Sequence, residues 1–65
     1  MELNVREVRR LMAAKGYTVK ATAKAAGVSP IALGKWLNHG VKPRLDTIGR
    51  LARALEVDIY DIAKD

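Results

Sequence analysis

The chain has 65 residues, with 12 Lys+Arg against 7 Asp+Glu, a single histidine and no cysteine. At this length a chain buries only roughly 60 % of its unfolded surface, so residues 1–65 make one domain at most, and no disulfide can reinforce it. One copy cannot build a metal centre or a catalytic pair from His39 alone, and no apolar run approaches the ~20 residues that span a bilayer.

The two signs of charge are segregated. Residues 1–53 hold eleven basic and three acidic side chains, a net of +8, whereas residues 54–65 carry a net of −3. A basic body with an acidic end points to a polyanionic partner met by one surface. Met1-Glu-Leu-Asn does not resemble a secretory leader. The expectation is a soluble cytoplasmic protein with no cofactor, no metal, no membrane contact and no small-molecule substrate.

In chain order, Asn4-Val-Arg-Glu7 reads as a capping box opening a first helix, in which Val8, Leu11 and Met12 recur at helical spacing until Gly16. Thr18 caps a second helix from Val19 to Ala26, ended by Gly27. Ser29 is a good N-cap, and Pro30 sits at the first helical position, where its missing N–H costs nothing. A third helix therefore runs from Pro30 to about Asn38. His39-Gly-Val-Lys-Pro43 is a loop. Ile48, Leu51, Ala52 and Leu55 mark a fourth helix from about Leu45, and Asp58 caps a short fifth carrying Ile59 and Ile62. No strand-like alternation or repeat is present. The fold class is all-α, a bundle of five helices each too short to stand alone.

Their pooled apolar faces predict a core of Val8, Leu11, Met12, Tyr17, Ala23, Val28, Leu33, Trp36, Leu37, Ile48, Leu51, Leu55, Val57 and Ile62. Gly27-Val28-Ser29 allows only a tight turn between the second and third helices, and Gly27 supplies the positive φ such a turn needs. Ala23, four residues earlier, permits close crossing, and Leu33 and Trp36 anchor the third helix. These demands describe a helix-turn-helix over about residues 19–38.

On Gly16, Ala23, Gly27-Val28-Ser29, Leu33, Asn38, Pro43 and the run LDTIGRLARALEVDIYDI, the chain resembles the Cro/C1-type, lambda-repressor-like helix-turn-helix family from about Val5 to Ile62. The resemblance implies a sequence-specific regulator of transcription, a repressor, that places helix 30–38 in the major groove of double-stranded DNA. Family members often pair an arginine late in the first helix with a glutamate near the end of the recognition helix. Met12 and Leu37 stand at those positions, so both halves of the pair are apolar together and should touch. Val19 replaces a common glutamine, Thr22 an aliphatic residue, Arg44 a capping serine and Glu56 a glycine.

With Leu33, Trp36 and Leu37 inward, the outer row of the third helix is Pro30, Ile31, Gly34, Lys35 and Asn38. By resemblance Pro30, Ile31, Gly34 and Lys35 meet base edges, Lys35 through guanine and Ile31 through a thymine methyl. Phosphate contacts fall to Thr18, Lys20, Ser29, Asn38, Lys42 and Arg44, with backbone N–H groups at the starts of helices two and three. The row is poor in donors, so recognition should lean on methyl contacts and DNA shape. Val57, Ile59 and Tyr60 are the implied contacts of a weak homodimer on an inverted repeat. The rival reading is a protein-interaction module on the same fold, antitoxin-like or antirepressor-like. An enzyme is not expected, given one histidine, no thiol and no glycine-rich phosphate loop.

Overall fold

Every helix but one begins at a polar side chain that accepts a first-turn N–H, and three of the five end in the same turn. In the computed structural model, which describes residues 1–65, the order is β1 (Glu2–Leu3), α1 (Val5–Lys15), α2 (Val19–Ala26), α3 (Pro30–Asn38), α4 (Leu45–Ala54), α5 (Ile59–Ile62) and β2 (Ala63–Lys64). Asn4, Thr18, Ser29 and Asp58 are the capping side chains, whereas Arg44, before α4, makes no such bond. Pro30 opens α3 as its sequence position implies.

Two local expectations are corrected. The capping box at α1 is only half formed: Asn4 Oδ1 accepts from the Glu7 N–H at 3.2 Å, while the Asn4 N–H donates to the Ile62 carbonyl at 2.7 Å. A tertiary bond has taken the donor that Glu7 would have served, and the Glu7 carboxylate pairs with Arg10 instead. The second correction is the pair of terminal strands. β1 and β2 run antiparallel, with Glu2 opposite Lys64 and Leu3 opposite Ala63. A strand of two residues is too short to display alternation, so periodicity cannot reveal it.

The core is a single cluster of twelve buried apolar residues drawn from β1 and all five helices together with Leu55. Of the sequence-predicted core, Val8, Met12, Ala23, Leu33, Leu37, Ile48, Leu51, Leu55 and Ile62 are buried. Leu11, Tyr17, Val28, Trp36 and Val57 are only half-buried against it, and Leu3, Ala26 and Ala52 join it unexpectedly. Small side chains mark the close crossing of α2 with α4, where helical periodicity gives alanine little weight. Thr22 is fully buried, and its hydroxyl donates to the Thr18 carbonyl at 2.9 Å. That bond inside α2 is what lets a polar side chain occupy an apolar site.

α1, α2 and α4 all close with a doubled turn in which two N–H groups reach back to the last carbonyls. After α1 the bonds are Tyr17 to Met12 and Gly16 to Ala13; after α2 they are Val28 to Ala23 and Gly27 to Lys24; after α4 they are Val57 to Ala52 and Glu56 to Arg53. The residue in the left-handed position is Gly16, Gly27 and then Glu56, the last with φ +58°. A Cβ is disfavoured there, and Glu56 recovers part of the cost by pairing with Lys15 at the end of α1. Glu56 is exposed and Lys15 half-buried at the rim, and a pair open to solvent on one side contributes little. Glu56→Gly is therefore expected to raise the melting temperature despite the lost pair. An unchanged or lower value in a thermal melt contradicts this account.

Met12 and Leu37 lie in the same buried cluster, each only 7 % exposed. A lone charge there would have no counter-ion, and Met12→Arg is expected to destabilise by about 3–5 kcal/mol. Urea denaturation checks this, and a midpoint equal to that of the parent contradicts it.

Candidate nucleic-acid interface

α3 turns its buried side, Leu33 and Leu37, into the core and leaves Pro30, Ile31, Lys35 and Asn38 exposed, with Gly34 half-buried between them. Ile31 is 74 % exposed, more than the other exposed aliphatic side chains, Leu45 at 61 % and Val41 at 47 %. An alanine methyl at Gly34 would meet nothing within 4 Å, so no internal packing demands glycine there.

The N-termini of α2 and α3 flank this row and differ in what they can offer. Thr18 Oγ1 accepts from the Ala21 N–H at 3.0 Å, and the N–H groups of Val19 and Lys20 have no partner in the chain. Ser29 Oγ accepts from both Ile31 and Ala32, at 3.2 and 3.4 Å, and Pro30 has no N–H at all. The start of α2 thus keeps donors for an anion, whereas the first-turn donors of α3 are consumed by its own cap. Each capping hydroxyl still has its own hydrogen to donate outward.

The cations around the row also divide. Lys20 and Lys35 are exposed and enter no ion pair. Lys42 Nζ lies 3.1 Å from Glu2 Oε1, and Arg44 Nε lies 3.2 Å from Asp46 Oδ1. The Lys42 ammonium, by hydrogen bond first and then by charge, holds the Glu2 carboxyl below its ordinary 4.5; burial opposes this, and Lys64 and the amino terminus add to it. A depressed carboxylate contributes stability above its unfolded pKa and loses it as pH falls through the folded value. The Glu2–Lys42 tie is therefore intact at neutral pH. Its neighbourhood is a shallow cleft lined by Trp36, Val41 and Pro43, with Trp36 half-buried.

Arg9 has a role that the sequence reading did not assign to it. Its guanidinium donates to the Leu37 carbonyl at 3.1 Å and to the Asn38 side-chain oxygen, tying α1 to the last turn of α3. Arg9 stands three residues before Met12, on the same helix face, and that spacing was the available signal. The Asn38 amide nitrogen remains unengaged. Of the implied dimer contacts, Val57 and Ile59 are half-buried on the chain's own core, and Tyr60 is 75 % exposed. No group of three or more His, Cys, Asp or Glu is placed to hold a metal ion.

Two capped helices joined through a left-handed Gly27, the second presenting a mixed apolar and basic row, define a helix-turn-helix protein. The chain belongs to the Cro/C1-type helix-turn-helix family: the helix-turn-helix family model HTH_3 matches residues 6–62. Among solved structures it is similar to an HTH_3 family transcriptional regulator from Vibrio cholerae, at 26 % identity and a TM-score of 0.81, over 89 % of this chain and 33 % of that one. It is also similar, at 28 % identity and a TM-score of 0.83, to a mutant of hydroxyethylphosphonate dioxygenase, over 100 % of this chain and 14 % of that one. The chain thus spans a third or less of the length of these structures. A search of curated proteins by sequence finds no match.

Gly34 in α3 and Gly49 in α4 both face open space, so alanine at either is expected to add about 0.5–1 kcal/mol of stability. Denaturant titration of the two variants checks this, and a loss at Gly34 alone would mean a neighbour crowds that face.

Proposed function

We propose that this chain is a sequence-specific double-stranded DNA-binding regulator of transcription, acting as a repressor with α3 in the major groove of an operator. The observation that carries this reading is the exposed row of α3, Ile31 and Lys35 above all, flanked by the uncommitted donors of Thr18, Val19 and Lys20 at the start of α2. Family membership and the similarity to the Vibrio cholerae regulator support it. In this reading Pro30, Ile31, Gly34 and Lys35 meet base edges, and Thr18, Lys20, Ser29 and Asn38 meet phosphates. Lys42 and Arg44 join the phosphate set only by exchanging Glu2 and Asp46 for DNA, an exchange of one exposed pair for another that costs little. Two copies on an inverted repeat supply the base contacts that one short row lacks. The reading assigns no catalysis, cofactor or metal to the chain, and a cytoplasmic location suits it.

A second reading has one observation in its favour. The same fold fills 14 % of the dioxygenase structure, so this architecture also occurs within an enzyme chain. With Ile31 as an exposed apolar anchor, α3 would then grip a protein surface, as an antitoxin-like or antirepressor-like module does.

Selection of duplexes from a random library, followed by affinity measurements at two salt concentrations, separates the two. An enriched inverted repeat with half-sites about one turn apart supports the operator reading, and absence of DNA binding at moderate salt favours the protein surface. On the enriched duplex, Lys35→Ala is expected to cost about 1–3 kcal/mol, with much less loss on unrelated DNA. Equal losses on every sequence would assign Lys35 to phosphate instead. Gly34→Ala, stable as a fold, is expected to weaken the same complex while Gly49→Ala leaves it unchanged.

A further inference from the structure

The outer row of α3 holds one group whose chemistry depends on which way it faces. Asn38 carries a carbonyl oxygen on one side of its amide and two N–H donors on the other. Pro30, Ile31 and Gly34 bring no hydrogen-bonding side chain to the row, and Lys35 can only donate. Turned one way, Asn38 extends the row with two donors. Turned the other way, it presents the one carbonyl oxygen among these side chains, which repels a phosphate. The terminal torsion of an asparagine has no strong preference between the two.

Arg9 removes that freedom. A guanidinium has donors and no acceptor, so it can meet the Asn38 amide only at the oxygen. Its Nη2 does so, and the same nitrogen donates to the Leu37 carbonyl at 3.1 Å. Two acceptors on the last turn of α3 thus hold the guanidinium, and the guanidinium holds the amide. Arg9 enters no ion pair, and the Glu7 carboxylate is taken by Arg10, so no anion in the chain competes for its charge. The bond to Leu37 also covers a carbonyl at the negative end of the α3 dipole. Met12 and Leu37 fill the interior without help from Arg9, which is exposed. Its bonds therefore act less on packing than on the direction of one amide. We infer that Arg9 is a positioning residue for DNA binding: it keeps the Asn38 oxygen on itself and the two N–H donors turned away, so that Asn38 meets phosphate as a donor only. The inference deepens the operator reading and rests on it for the identity of the anion. Arg9 acts through Asn38 and is assigned no DNA contact of its own.

The test has one arm without DNA and one with it. The chain has two side-chain amides, Asn4 and Asn38, and no glutamine, so their N–H signals are told apart by one variant, Asn38→Ala. In the full chain without DNA, nuclear magnetic relaxation of the Asn38 amide is expected to show a group as restricted as the backbone. In Arg9→Met it is expected to become mobile, while Asn4, the cap of α1, is unchanged. An Asn38 amide with the same mobility in both chains overturns the inference. The second arm is a double-mutant cycle of affinity for a mixed-sequence duplex, because phosphate contacts report on any sequence. Asn38→Ala is expected to weaken binding about tenfold in the parent, as loss of a bond to a charged group does. In Arg9→Met the same change is expected to cost about twofold or less, since a freely turning amide must be ordered on binding. The cycle cancels the lost Arg9 charge, which is missing from both members of the second pair. A residue that only fastened α1 to α3 would leave the two losses equal, and equal losses overturn the inference. Thermal melts check that each variant folds; Arg9→Lys, which keeps the charge and lacks the planar fork, replaces Arg9→Met if that one does not, with the same outcomes. Absence of duplex binding by the parent overturns the operator reading alone, and the relaxation arm then decides by itself whether Arg9 orients Asn38.

Discussion

The structure turns on the backbone at Gly27. With φ at +71°, Gly27 lets the Val28 N–H reach the Ala23 carbonyl at 2.9 Å, and so reverses the chain within three residues. A side chain there would strain the turn whatever the surrounding space. Once the turn is fixed, the crossing of α2 and α3 follows, and it brings Ala23, Ala26, Leu33 and Leu37 into one core. What α3 presents outward is then the complement of what it buries. The exposed row is less a choice of surface residues than the remainder left by this one angle.

A second constraint holds that row still. In many relatives of this kind the resemblance leads one to expect a buried ion pair between the first and third helices. Here Met12 and Leu37 fill the place with apolar volume, and Arg9, one turn earlier, reaches over them to the Leu37 carbonyl and Asn38. The link between α1 and α3 has moved from the interior to the rim. A rim contact needs no charge to be desolvated, and the interior is free to pack. Glu56 shows a similar displacement. It occupies a left-handed position that suits glycine, and its carboxylate is tied to Lys15, which lowers the Glu56 pKa and raises that of Lys15.

Most of this fold was legible in the sequence because its punctuation is strong. Ser29-Pro30 gives the start of α3, Gly16 and Gly27 give two helix ends, and Asp58 gives the shortest helix, all through local chemistry that neighbours do not override. What stayed hidden depends on partners distant in the chain. β1 and β2 exist only because the two ends meet, and Asn4 gives its N–H to Ile62 for the same reason. Leu3 is buried by that pairing, not by any periodic pattern. The candidate site divides in the same way. The outer row of α3 follows from helix geometry, whereas the pairing of Lys42 with Glu2, 40 residues apart, depends on where the loop after α3 lands.

The pairing of β1 with β2 has a topological consequence. Residues 2 and 64 sit side by side, so the backbone is nearly a closed ring whose two ends leave from one edge. A short linker could join them, and new ends could be opened in the exposed segment 39–42, with little disturbance to the helices. The fold in this sense admits chain ends at the loop after α3 as well as beside the strand pair. Such a unit can be set into a longer polypeptide at a single loop, because entry and exit need only the width of one strand pair.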